Sequence, residues 1–184
     1  MKKQPVKNLV SRNNVNQGEG PILSSLCRAE KQNPPRDFEK ARAYAFLLLK
    51  FRLRSAAELL TRLKQKGFSQ ELSQATVSFL IEKEFIDDRV FAQGWVASRL
   101  KRPYGLIKIK QELLQKGLAK EVIESSLVKV KENYNESKIV GQLAQQRFSR
   151  IKNVEPLKAK SRVYAYLIRR GFAPDIVGDI VKGL

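Results

Sequence analysis

The sequence predicts an all-α protein made of three tandem three-helix repeats that form an elongated, curved helical array. Two observations carry this. Apolar residues recur at spacings of three and four from Phe38 almost to the end of the chain, as they do when one face of each helix turns to a core. A basic-glycine-apolar tripeptide also occurs three times, as Lys66-Gly67-Phe68, Lys116-Gly117-Leu118 and Arg170-Gly171-Phe172. Aligned on their glycines, the three copies match at seven further columns. Four residues before stand Leu63, Leu113 and Leu167, and eight before stand Leu59, Ile109 and Val163. The residue before is always basic and the residue after apolar. Four after stand Glu71, Glu121 and Asp175; five after, Leu72, Val122 and Ile176; ten after, Val77, Leu127 and Val181. The spacings of 50 and 54 residues exceed those of common two-helix repeats and fit three helices per unit. A unit of that size buries little core by itself, so stacking of neighbours contributes much of the stability.

Residues 1–36 carry seven Lys or Arg (2, 3, 7, 12, 28, 31, 36) against Glu19 and Glu30, with few apolar residues and no sustained period. They read as a flexible basic tail, either an added contact for a polyanion or a solubilising extension. Leu23 and Leu26 could start a short helix within it.

The first repeat spans 37–86. Asp37 can cap a helix running to about Arg54, with Phe38, Ala41, Ala45, Leu48 and Leu49 inward. Ser55-Ala56-Ala57-Glu58 is a capping box. Its Ser hydroxyl accepts from the amide three residues on, and the Glu side chain returns to the Ser amide. The second helix, 56–66, turns Leu59, Leu60 and Leu63 to one face and stops at Gly67, because a left-handed residue after a helix costs least as glycine. Ser69 caps a third helix, with Leu72, Ala75, Thr76, Phe79 and Leu80 inward, ending near Glu84.

The second repeat spans 87–131. Asp87 and Asp88 open a helix to about Lys101, with Phe91, Trp95 and Val96 inward. Pro103-Tyr104-Gly105 turns into a helix over 106–116, and a further helix follows Ala119. The third repeat spans 132–184. Lys131 to Asn135 reads as a polar linker and cap, followed by helices over 136–148, after Pro156, and from Pro174. Proline suits a first helical turn, where its missing N–H would find no partner anyway.

Several function classes are excluded. The chain has no histidine and one cysteine, Cys27, so it has no internal disulfide, no Cys/His zinc site and no histidine-based acid-base or nucleophilic chemistry. No glycine-rich phosphate loop precedes a Lys-Ser/Thr pair, and no nucleotide cofactor is implied. No apolar run approaches a membrane span, and the basic start lacks the apolar core of a signal peptide. A cytoplasmic protein is expected. Asp87-Asp88, with Glu82 and Glu84 upstream, is the one acidic cluster. Adjacent aspartates before a helix read as caps, and no metal ligand or catalytic residue is assigned.

The formal charge of +18 over 184 residues points to a polyanionic partner. Arg99, Lys101, Arg102, Lys108 and Lys110 form a run with no acid inside it and with Tyr104 in its turn, a plausible surface for phosphates and base stacking. Arg52 and Arg54 make a second basic spot, and Arg169 and Arg170, with Lys160, a third. One spot per repeat gives a basic stripe along the array.

Several stretches together resemble the RecX family of bacterial recombination regulators. They are Arg52-Leu53-Arg54-Ser55-Ala56-Ala57-Glu58-Leu59, Lys66-Gly67-Phe68, Asp87-Asp88 with Phe91-Ala92 and Trp95-Val96, and above all Tyr104-Gly105 with Ile107-Lys108-Ile109-Lys110-Gln111-Glu112-Leu113 and Lys116-Gly117. The resemblance covers about 38–184. Pro103 stands where the family often has Gly, and Lys108 and Lys110 where Arg is common. The resemblance implies three tandem three-helix units, no enzymatic activity, and binding to the RecA recombinase filament. There a monomer would lie in the groove against RecA subunits and single- or double-stranded DNA, limiting extension, ATP hydrolysis, strand exchange and co-protease activity. The second reading is a stand-alone DNA-binding protein using the helix pair around Gly117 as a helix-turn-helix.

Overall fold

The computed structural model describes residues 36–184; the basic tail, the short helix suggested at Leu23–Leu26 and Cys27 lie outside the described residues. Among the described residues the ordered elements are nine helices and no strand. The first three are α1 (Arg36–Phe51), α2 (Ala56–Gln65) and α3 (Gln70–Glu82). Then come α4 (Asp88–Leu100), α5 (Leu106–Gln115) and α6 (Lys120–Asn133), and finally α7 (Glu136–Ser149), α8 (Pro156–Arg169) and α9 (Pro174–Lys182). They pack as tandem three-helix repeats, each around its own apolar cluster. The first gathers Ala41, Ala45, Leu59, Leu63, Val77, Leu80 and Ile86. The second gathers Phe91, Ala92, Val96, Ile109, Leu113, Leu118, Ile123 and Leu127, and the third Val140, Ala144, Val163, Leu167, Phe172, Val177 and Val181.

The repeated glycine ends the middle helix of every unit in the same way. Gly67, Gly117 and Gly171 have φ of +101°, +75° and +79°. The following amide reaches back to the helix, from Phe68 to Leu63 O, Leu118 to Leu113 O and Phe172 to Leu167 O. The glycine amides bond Lys64 O, Leu114 O and Ile168 O. This is the two-bond C-terminal motif that favours a left-handed glycine. It turns Phe68, Leu118 and Phe172 back onto their own clusters.

Four local expectations are corrected. α1 already includes Arg36, so Asp37 lies within its first turn, where its carboxylate pairs with Lys40 at 2.9 Å, and the helix ends at Phe51. The Glu58 carboxylate does not return to the Ser55 amide. Ser55 Oγ does accept from the Glu58 amide at 3.1 Å, but the carboxylate is taken by Arg52 and Lys116. α6 continues through Asn133, so the polar stretch that read as a linker is mostly helix, and Asn135 then caps α7 by accepting from the Lys138 amide. Trp95 is only partly buried, at the edge of the second cluster.

The joints between repeats follow one rule. The start of the middle helix in one unit meets the glycine end of the middle helix in the next. Ser55 and Gly105 stand at matched positions, twelve residues before Gly67 and Gly117. Ser55 Oγ donates to Lys116 O at 2.7 Å, so the start of α2 sits on the end of α5. The Gly105 amide donates to Arg170 O at 2.9 Å and the Ile107 amide to Gly171 O at 3.2 Å, so the start of α5 sits on the end of α8. Each contact gives a partner to carbonyls that lack one at a helix end, through a side-chain hydroxyl at the first joint and through free amides at the second, and it brings opposite ends of two helix dipoles together. Asp88 adds to the first joint: its Oδ1 accepts from the Ala56 amide at 2.9 Å, capping α2 from the neighbouring repeat.

Candidate interaction surface

The basic residues singled out in the sequence fall into distinct environments. Arg52 is bound to Glu58 by two hydrogen bonds of 2.9 and 3.0 Å, and Lys116 reaches the same carboxylate at 2.6 Å. Burial pushes the Glu58 carboxyl up, but the hydrogen bonds and charges of Arg52 and Lys116 outweigh it and hold the group at about 2. The Arg52 guanidinium is held above its ordinary value by the bond to Glu58, against the opposing effect of burial. Arg54 points elsewhere. Its Nε donates to Leu48 O, and burial together with repulsion from Arg52 lowers its pKa. Arg52 is therefore tied into the first joint, and Arg54 into the turn before it.

From Lys116 the network continues through an aromatic ring. Lys116 Nζ and the Arg99 guanidinium lie 4.5 and 4.2 Å from the Trp95 ring centroid. Glu112 accepts from both Trp95 Nε1 (3.0 Å) and Arg99 Nε (2.6 Å). Such contacts carry about 0.5–2 kcal/mol each, more as water is excluded. They make Trp95 the hinge of a polar ladder between two carboxylates, a role its place on an apolar helix face does not announce.

Around Tyr104 only Arg99 has a carboxylate partner among the described residues, Glu112. Lys108, Arg170 and Arg99 approach its ring at 5.0, 5.4 and 5.9 Å. Arg170 comes from the third repeat, fixed by a 2.9 Å bond from its Nη1 to Pro103 O. It also lies over Tyr166 at 4.9 Å, with Arg147 at 5.1 Å from that ring. Tyr134 donates to Tyr104 O at 2.8 Å, and burial, with the Glu136 charge nearby, pushes its phenol up to about 12, so it stays a donor across the physiological range. Lys101 and Arg102 project from the same turn, exposed, with no side-chain hydrogen bond or ion pair to the described residues.

Lys108 and Arg169 line one groove of about 460 Å³ between α5 and α8, with Gln111 and Gln115 on the same wall and Phe172 on the other. Lys110 does not belong there. Two residues apart on an α-helix diverge by about 200°, and the Lys110 ammonium is paired with Glu124 on α6. The structure thus brings Arg99, Tyr104, Lys108 and Arg170 together, with Lys101, Arg102 and Arg169 at the edge. It sets Arg52, Arg54 and Lys110 apart.

Sequence reasoning missed Lys116, Arg147 and Tyr166 as members of these networks. The matched basic column before each glycine was the available signal for Lys116, since its equivalent, Arg170, also reaches into the neighbouring repeat. No group of three or more His, Cys, Asp or Glu side chains converges as a metal site among the described residues. Asp87 and Asp88 serve as caps, Asp87 Oδ1 accepting from the Arg89 amide at 2.7 Å. What the Tyr104 cluster offers chemically is concentrated positive charge on a rigid joint, suited to holding phosphate oxygens or carboxylates.

Comparison with known proteins agrees with this architecture. Three family models match in order: the first three-helix domain of RecX over residues 41–80, the second over 87–127 and the third over 140–181. The regulatory protein RecX of Clostridium botulinum (strain Eklund 17B / Type B) is 32% identical over 146 residues, covering 78% of this chain and 68% of that one. The regulatory protein RecX of Mycobacterium sp. (strain JLS) is 34% identical over 157 residues, covering 83% and 85%. The crystal structure of RecX from Lactobacillus salivarius superposes with a TM-score of 0.68 at 21% identity, covering 80% of this chain and 96% of that one, which speaks to the fold alone.

Proposed function

Since the chain belongs to the RecX family, we propose that it is a non-catalytic modulator of the RecA recombinase, seated in the groove of the RecA–DNA filament. There it limits filament extension, ATP hydrolysis, strand exchange and co-protease activity. The observation that carries the reading is the cationic cluster around Tyr104, held at the joint of two repeats by backbone bonds rather than on a mobile loop. A filament groove presents acidic protein and DNA phosphate side by side, and a rigid basic surface complements both. We take the units as 37–86, 87–131 and 132–184, with Arg99, Lys101, Arg102, Tyr104, Lys108, Arg169 and Arg170 as the contact set and Arg52, Arg54 and Lys110 as its outer members. The chain acts as a monomer in the cytoplasm; no described helix is long and apolar enough to cross a membrane.

The test is RecA's DNA-dependent ATP hydrolysis with substoichiometric amounts of the protein. Hydrolysis falls with the parent, and Lys108→Glu with Arg102→Glu restores it. Lys110→Glu has a smaller effect, because that lysine is already engaged by Glu124. Unchanged hydrolysis at every ratio of the parent refutes the proposal. The helix-turn-helix reading is disfavoured by α6. A recognition helix leads into the major groove with its N-terminal residues, and here these include Glu121 and Glu124, which would carry negative charge toward the DNA.

A further inference from the structure

Four large apolar side chains stand open on the first two repeats, none of them a member of the cationic cluster, and form a strip linked by helical spacing and by one close approach. Leu47 and Phe51 stand one helical turn apart on α1, 52% and 75% exposed. Two residues on, Leu53 is 57% exposed, and its Cδ1 lies 3.9 Å from where a Cβ on Gly94 of α4 would stand. One turn before Gly94 is Val90, 52% exposed. The glycine leaves the α4 side of the strip low, so Leu53 lies flat across it. Removing large apolar side chains from water is favourable, so they are ordinarily covered. Four of them left open on adjacent elements therefore mark a contact surface rather than scattered exposure.

The strip's chemistry narrows its occupant. Exposed Lys50 and Arg89 directly precede Phe51 and Val90, and half-buried Arg54 follows Leu53, against a single exposed carboxylate, Asp87, at the Val90 amide, so the surroundings are basic on balance. A second copy of this chain would bring basic rim against basic rim on a molecule already at +18, which is repulsive. Three of the four side chains are aliphatic, and aliphatic side chains give no platform for unpaired bases, which stack on aromatic rings. An acidic protein segment with apolar anchors satisfies both the floor and the rim.

We propose that Leu47, Phe51, Leu53 and Val90 dock an acidic, apolar-anchored segment of the filament protein, while the Tyr104 cluster faces phosphate. The inference rests on the RecA reading above and divides the work between two surfaces. The first surface meets protein through apolar anchors and loses only its rim contribution as salt rises; the second meets nucleic acid and loses most of its affinity.

The test uses the full chain, the double variant Phe51→Ser with Leu53→Ser, and Lys108→Glu with Arg102→Glu. Each is titrated against DNA-free RecA at about 0.05 and about 0.5 M salt, against a labelled oligodeoxythymidylate, and against phosphatidylglycerol vesicles. Both serines replace residues more than half exposed, and far-UV circular dichroism checks the fold. The parent is expected to bind RecA at both salt concentrations. The serine variant should bind it about tenfold more weakly, the loss of central apolar anchors, and hold the oligonucleotide as the parent does. The charge-reversed variant should show the opposite pattern. The inference is overturned if the serine variant binds RecA like the parent, or loses the oligonucleotide equally. It is also overturned if the strip instead mediates binding to phosphatidylglycerol vesicles. A parent that inhibits ATP hydrolysis without binding DNA-free RecA overturns this inference alone. A parent that does neither overturns the functional reading with it.

Discussion

Replacing Gly105 by alanine tests the joint between the second and third repeats with little other disturbance. Gly105 has φ of −71°, a conformation alanine adopts freely, so the backbone itself is not strained. The new methyl group would fall inside contact distance of the Gly171 carbonyl and the Phe172 amide, both backbone atoms that cannot rotate away. The joint must open. That removes the bonds from Gly105 to Arg170 O and from Ile107 to Gly171 O, about 1 kcal/mol each. It also removes the bond from Arg170 to Pro103 O, charge-assisted and about 1.5–3 kcal/mol. The expected cost is about 3.5–5 kcal/mol of coupling between repeats, with the cluster inside each repeat left intact. The assay is urea unfolding followed by two probes. Trp95, the only tryptophan, reports the second repeat, and far-UV circular dichroism reports all three. In the parent the two curves coincide. In Gly105→Ala they separate, the third repeat melting at lower urea. Coincident curves within about 0.5 kcal/mol of the parent's stability would refute the reasoning, since surface changes without a joint effect fall in that range.

Three more outcomes follow from the first repeat. Glu58 is held at about 2 against an ordinary 4.5, so its contribution to stability is complete above about pH 4.5 and lost as pH falls through 2. With allowance for screening at a partly exposed pair, Glu58→Gln should cost about 1–2 kcal/mol at neutral pH and flatten the acid limb of stability against pH; an acid limb identical to the parent's would count against the network. Ser73 is fully buried, and its hydroxyl has no partner among the described residues. Ser73→Ala should therefore stabilise by about 1 kcal/mol in urea unfolding, and a loss of stability would show that the hydroxyl is satisfied. Gly67→Ala meets no neighbour within 4 Å, so its cost is backbone strain alone, about 1–2 kcal/mol. A larger loss by thermal unfolding would mean that this helix end is packed after all.

The glycine columns made the repeat readable because each column has one cause inside one unit. The residues four and eight before the glycine are fully buried in all three copies, and glycine itself is demanded by the left-handed turn. The column six after it is also buried throughout, as Ser73, Ile123 and Val177, yet it escaped notice because serine breaks the apolar pattern. Glu58 fitted a local motif, but its carboxylate is claimed by Lys116, 58 residues on, and no spacing rule within one repeat anticipates that partner. The basic run from Arg99 to Lys110 looked like a single face only while written on a line. Helical geometry sends Lys108 toward the third repeat and Lys110 toward α6. Charge in sequence gives an inventory of cations; only the fold decides which are already paired.

The two joints, alike in geometry, differ in what can loosen them. The first is held by a serine hydroxyl, a capping aspartate and a lysine-glutamate pair, so electrolyte or acid weakens it. The second is held chiefly by amide against carbonyl at a glycine contact, with one guanidinium bond from Arg170 to Pro103 O beside them; acid reaches none of these and electrolyte only the last. A rise in ionic strength therefore gives the chain one compliant elbow and one stiff one. Thermal bending concentrates between the first and second repeats, where Phe51 and Leu53 lie, while the cationic platform around Tyr104 keeps its form.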